Sequence, residues 1–65
     1  MKILLTEIMH KKNLSVRQVS LMTGLSKSAI QKIMDESSNP TMNTMERLAI
    51  GLKVRIVDLF ESDYK

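Results

Sequence analysis

The chain has 65 residues, no cysteine, and ten Lys/Arg against seven Asp/Glu, for a net charge of +3. That size makes one small domain (residues 1–65) whose core supplies roughly 3–5 kcal/mol of net stability, with no disulfide and no thiolate metal site to add to it. No apolar run approaches the about 20 residues that cross a bilayer, and the opening "MKILLTEIMHKK" lacks the unbroken apolar stretch of a signal peptide, so a cytoplasmic protein without a membrane partner is expected.

The charge is unevenly spread. Residues 1–34 carry Lys2, Lys11, Lys12, Arg17, Lys27 and Lys32 against Glu7, a net +5, and residues 35–65 come to −2. Such asymmetry directs one end of a molecule towards a polyanion. No internal repeat or low-complexity tract interrupts the chain, strand signals are poor, and helix signals recur at short intervals.

A first helix is predicted over about 2–12. At about 100° per residue, Met1, Leu4, Leu5, Ile8 and Met9 share one side. Lys11 and Lys12 fall in the last turn, where the dipole favours cations, and Asn13 suits the left-handed closing position. Ser15 caps a second helix over about 15–23, with Val16, Val19 and Ser20 inward and Arg17 and Gln18 outward. Gly24 closes that helix by taking positive φ at little cost. Leu25 plugs the turn and Ser26 caps a third helix over about 27–35. With Lys27 at 0°, Gln31 falls near about 40°, Asp35 near about 80°, Ser28 near about 100° and Lys32 near about 140°. Ala29, Ile30, Ile33 and Met34 fall between about 200° and 340°, so polar and apolar sets do not overlap. "ESSNP" reads as a loop. Thr41 caps a fourth helix over about 42–52, with Met45, Leu48, Ala49 and Leu52 on one face. Lys53 and Val54 turn the chain into a fifth helix over about 56–61 that presents Ile56, Leu59 and Phe60 to the core. "SDYK" is a terminal tail. Five short helices on short loops make an all-α bundle.

The second and third helices, joined at Gly24, have the layout of a helix-turn-helix. A small residue suits Ser20 where the helices cross, and Ile30 locks one helix onto the other. Beyond that pair, "LSVRQVSLMTGLSKSAIQKI", "NPTMNTMERLAIGLKV" and "DLF" resemble the Cro/repressor-type (Xre-like) helix-turn-helix family over about residues 3–61. Leu14, Val19, Gly24, Ser26, Ile30, Ile33, Asn39, Pro40, Leu48, Ala49, Leu52, Val54, Leu59 and Phe60 all fall where that family's pattern expects them. The resemblance implies a five-helix, lambda-repressor-like domain that binds double-stranded DNA, usually as a transcriptional regulator in bacteria or their phages. It places the third helix in the major groove. Carried over by position, Lys27, Ser28, Gln31 and Lys32 read bases, and Ser15, Val16, Arg17, Ser26 and Asn39 hold the backbone. Lysine suits guanine O6/N7 and glutamine suits adenine N6/N7, whereas serine discriminates little. The chain departs from the family at Val16, where glutamine is frequent, and at "DESSNP", where the loop is often basic. It departs also at Lys53, where glycine is frequent, and at Arg55, where a capping serine is common.

The bland reading of the Lys27, Ser28, Gln31, Lys32 face is an ordinary solvated surface; the helix-turn-helix frame turns it into a reading face. His10 lacks any ligand-spaced partner and is read as capping carbonyls near a helix end. Met9, Met34 and Met45 are gap-filling core residues, with Met22 and Met42 on neither face clearly. Ile50 and Val57 stand where the family commonly carries polar or charged residues. They mark a candidate dimer surface, against the null of isolated exposed apolar side chains. There is no glycine-rich phosphate loop, nucleophile–base signature or metal spacing, so no enzyme, metal, cofactor or small-molecule ligand is implied. Two aromatics, Phe60 and Tyr64, are too few for stacking on single strands. The leading expectation is a small regulator, most simply a repressor, acting as a homodimer. With no effector domain expected, its control falls to concentration, a partner or competition for the site. The alternative is a protein-interaction module on the same fold, antitoxin-like or an anti-regulator, with weak or no DNA binding.

Overall fold

Hydroxyl caps start three of the helices. Ser15, Ser26 and Thr41 each sit in extended backbone and accept a first-turn N–H, from Gln18, Ala29 and Thr44 respectively. A side-chain oxygen at this position satisfies one of the orphan donors of a helix start. The computed structural model describes residues 1–64 and contains four α-helices: α1 (Leu5–Lys12), α2 (Val16–Thr23), α3 (Lys27–Ile33) and α4 (Met42–Leu52). Lys65, the last residue of the expected domain and tail, lies outside the described residues.

Helix ends follow local chemistry at three of the four. Asn13 (φ 57°), Gly24 (φ 77°) and Lys53 (φ 57°) adopt the left-handed conformation after α1, α2 and α4. Their N–H groups reach back to the terminal carbonyls, as at Gly24 to Ser20 at 2.9 Å. The ring of His10 is exposed rather than capping; it is the His10 carbonyl that closes α1, accepting the Asn13 N–H at 3.1 Å.

Both ends of the chain depart from the five-helix expectation. The first helix starts at Leu5, because "MKIL" offers no capping side chain and Lys2–Ile3 instead forms strand β1. The fifth helix is a four-residue 3₁₀ turn, Ile56–Leu59, after which Phe60–Glu61 forms strand β2. β1 and β2 pair antiparallel, Lys2 opposite Glu61 and Ile3 opposite Phe60. The physical reason is length and residue type. Four residues rich in β-branched side chains cannot repay helix nucleation, and Ile3 and Phe60 fit a pleated, half-buried pair. Arg55 starts the 3₁₀ turn with its N–H bonded to the Asp58 carboxylate at 3.0 Å, so the acid does the work of the absent serine.

The core is drawn from every element but β2: Ile3, Leu5, Met9, Val19, Ile30, Ile33, Met45, Leu48, Ala49, Leu52 and Leu59 are buried. Ile3 enters it because strand alternation points Lys2 out and Ile3 in, whereas Met1, expected inward on a helix, is exposed. Ile56 and Phe60 pack against the core only partly buried, as do Ile8, Val16 and Met34, and Leu4 is half-buried. Met22 and Met42 are exposed. At Gly51 in α4, a Cβ would come within 2.6 Å of the Met22 carbonyl oxygen and 2.9 Å of the Thr23 Cα. The backbones of α2 and α4 therefore meet at that glycine, a role that its place inside a helix did not advertise.

Candidate nucleic-acid interface

The turn between α2 and α3 is held by side chains on both sides. The Ser20 hydroxyl donates to the Leu25 carbonyl. The Thr23 hydroxyl donates to the Val19 carbonyl at 2.7 Å and accepts the Leu25 N–H at 3.3 Å. Ser20 was legible as a small residue at a crossing; its hydrogen bond, and the part played by Thr23, were not. Leu25 then packs on the core and Ser26 begins α3.

Within α3, Ile30 and Ile33 are buried and Ala29 is half-buried. Lys27, Ser28, Gln31 and Lys32 are all exposed, so the structure brings the four expected readers together on one solvent face. Among the described residues the ion pair present is Lys2–Glu36, and neither Lys27, Lys32 nor Arg17 is engaged in one.

Of the expected backbone holders, Ser26 caps α3 itself and Asn39 lines a groove with Lys32, while Ser15, Val16 and Arg17 stand at the start of α2. Ser15 and Ser26 are exposed caps. Each uses its oxygen as an acceptor, which leaves the hydroxyl proton free to donate outward. Gln18, expected from the sequence only to face outward, completes a capping box with Ser15: its side-chain oxygen accepts the Ser15 N–H at 2.8 Å while its own backbone N–H donates to Ser15 Oγ at 3.1 Å. Val16 packs its side chain against the core, partly buried, so the polar group it offers an outer surface is its main-chain N–H. The N–H groups of Val16 and Arg17 belong to the first turn of α2, where no intrahelical acceptor exists. Arg17 is exposed, and Asn39 is exposed in the loop, lining one shallow groove together with Lys32, Ala29 and Pro40.

The acidic pair after α3 is placed differently from the helical projection. α3 ends at Ile33, so Asp35 is not on its polar face. The Asp35 carboxylate instead accepts the Ser37 N–H at 3.0 Å and the Ser37 hydroxyl at 2.8 Å. These two bonds, the backbone one first, hold its carboxyl below the ordinary value of 3.8.

Two helices meeting across a glycine turn, the second seated by Ile30 and exposing a polar, lysine-bearing face, are the parts of a helix-turn-helix. Residues 5–63 match the Cro/C1-type HTH DNA-binding domain. The chain belongs to that family. No curated protein and no solved structure gave a significant match to it. In this Cro/C1-type domain the two candidate dimer residues are both exposed, Ile50 on α4 at 72% and Val57 on the 3₁₀ turn at 44%. No helix is long and apolar enough to cross a membrane, and no cluster of three or more His, Cys, Asp or Glu could hold a metal, among the described residues.

Proposed function

We propose that this Cro/C1-type domain is a sequence-specific regulator of transcription, of bacterial or phage origin, that acts as a repressor by occupying its site in duplex DNA. The observation that carries the reading is the face of α3: Lys27, Ser28, Gln31 and Lys32 are exposed on a helix whose opposite side is locked into the core by Ile30 and Ile33. Set in the major groove, Lys27 and Lys32 donate to guanine and Gln31 bonds adenine in bidentate fashion. Ser15, Arg17, Ser26, Asn39 and the Val16 N–H contact phosphates on either side. One short α3 reads few base pairs, which favours two copies on half-sites about 34 Å apart, paired through Ile50 and Val57. Repression asks no more of the protein than occupancy.

The test is binding to random and selected duplexes across a salt series. The logarithm of affinity should fall linearly with that of salt, with a slope of about −0.9 for each neutralised phosphate. Selection from random duplexes should return a two-fold site. Absence of duplex binding even at low salt would overturn the reading.

A further inference from the structure

α1, α2 and α4 close locally, on Asn13, Gly24 and Lys53 in left-handed backbone. α3 has no such residue: Met34 stays right-handed at φ −63° and ψ −20°. A helix end leaves its last carbonyls without intrahelical partners; at α3 the nearby Ser38 hydroxyl donates to the Ile33 carbonyl at 3.2 Å, and a segment distant in sequence serves the next one. The Thr6 hydroxyl donates to the Met34 carbonyl at 3.1 Å. Two residues further on, the Ile3 N–H donates to the Glu36 carbonyl at 3.1 Å. The Lys2 ammonium lies 3.9 Å from the Glu36 carboxylate. The stretch that makes these contacts is itself anchored, by β1–β2 pairing and by the Leu4 N–H to the Leu59 carbonyl at 2.8 Å.

We propose that Lys2–Thr6 is a clasp that positions the C-terminal end of α3 for DNA, with Thr6 and Lys2 as positioning residues acting through Met34 and Glu36. The proposal rests on the DNA reading above. Its geometric part follows from the shortness of α3, seven residues from Lys27 to Ile33. Seated on the core by Ile30 and Ile33 and capped at Ser26, so short a helix can still pivot about that apolar seat and carry Gln31 and Lys32 with it. Held also at Met34 and Glu36, it presents them at one angle. Its electrostatic part follows from charge. An unpaired Glu36 next to the reading helix repels phosphates, and Lys2 offsets it. A pair this exposed adds little to stability, but the charge it cancels acts over distance on a polyanion.

The test uses the full chain and the duplex that the wild type selects. Thr6→Val keeps the shape and removes the donor; Thr6→Ser keeps the donor. Thr6→Val should speed amide hydrogen exchange at Ile33 and Met34 several-fold in the DNA-free protein while leaving α2 unchanged. It should also weaken the selected duplex about three- to ten-fold, and Thr6→Ser should preserve both properties. Faster exchange in all helices alike would show a general stability role and overturn the positioning claim. Lys2→Met should weaken binding in the wild type and have no effect in a Glu36→Gln background. An equal loss in both backgrounds would make Lys2 a phosphate contact and overturn its part in the clasp. A wild type that binds no duplex overturns the DNA reading, and the exchange pattern still decides whether the clasp exists.

Discussion

Gln31 and Arg17 are both exposed, yet the proposed roles separate them. Gln31→Ala should relax the preference at one base pair, at a cost of about 1–3 kcal/mol, whereas Arg17→Ala should weaken every duplex alike and reduce the salt slope by about one. Binding-site selection repeated with each variant checks this; an unchanged preferred sequence for Gln31→Ala would remove it from the readers. Lys53 is a second residue with a measurable consequence. It occupies left-handed backbone at φ 57°, a conformation that costs a residue with a Cβ about 1–2 kcal/mol. Lys53→Gly relieves that strain but gives the unfolded chain more freedom, so a net gain of about 0.5–1 kcal/mol in denaturant unfolding is expected. Asn13→Gly, at the same φ, should gain less, because asparagine tolerates the conformation better. Asp35 supplies the pH dependence. Its folded pKa is depressed, so the support that Ser37 gives the loop is present above the ordinary 3.8 and is lost as pH falls through the lowered value. A carboxyl-resolved NMR titration should place the Asp35 midpoint below 3.8, and Ser37→Ala should raise it towards that value.

Between elements, the contact that decides most is α2 against α4 at Gly51. Alanine there would ordinarily improve an interior helix position by up to about 1 kcal/mol. Here its Cβ would meet backbone, the Met22 oxygen at 2.6 Å and the Thr23 Cα at 2.9 Å. Backbone cannot rotate away as a side chain can, so α2 and α4 must separate. Gly51→Ala should therefore lose about 2 kcal/mol or more, a large part of what so small a core supplies. Thermal unfolding checks the sign. Because α2 carries the turn into α3, the same substitution should also weaken duplex binding at temperatures where the protein is still folded.

For the molecule as a whole, assembly turns on exposed apolar side chains. Ile50 and Val57 come from neighbouring elements, α4 and the 3₁₀ turn, and both are solvent-exposed in the single chain. If they pair two copies, Ile50→Glu should shift sedimentation from dimer to monomer. It should also weaken a two-half-site duplex far more than a single half-site. An unchanged sedimentation profile would leave Ile50 as an isolated exposed residue of the kind that folded proteins commonly carry. Fold stability should change little, since Ile50 is outside the core.

The sequence by itself determined what depends on neighbours along the chain. Ser15, Ser26 and Thr41 as caps, Asn13 and Gly24 as left-handed closures, and the two faces of α3 all follow from residue type and helical period. The solvent face with Lys27, Ser28, Gln31 and Lys32 was legible for the same reason. Tertiary structure decided what depends on partners far away in sequence. Lys2–Ile3 became a strand because Phe60–Glu61 lies beside it. Gly51 acquired its role because the backbone of α2 arrives there. Beyond the local Ser38 bond to Ile33, the end of α3 is held by Thr6 and Ile3; 28 residues separate Thr6 from Met34, and no local pattern encodes their meeting.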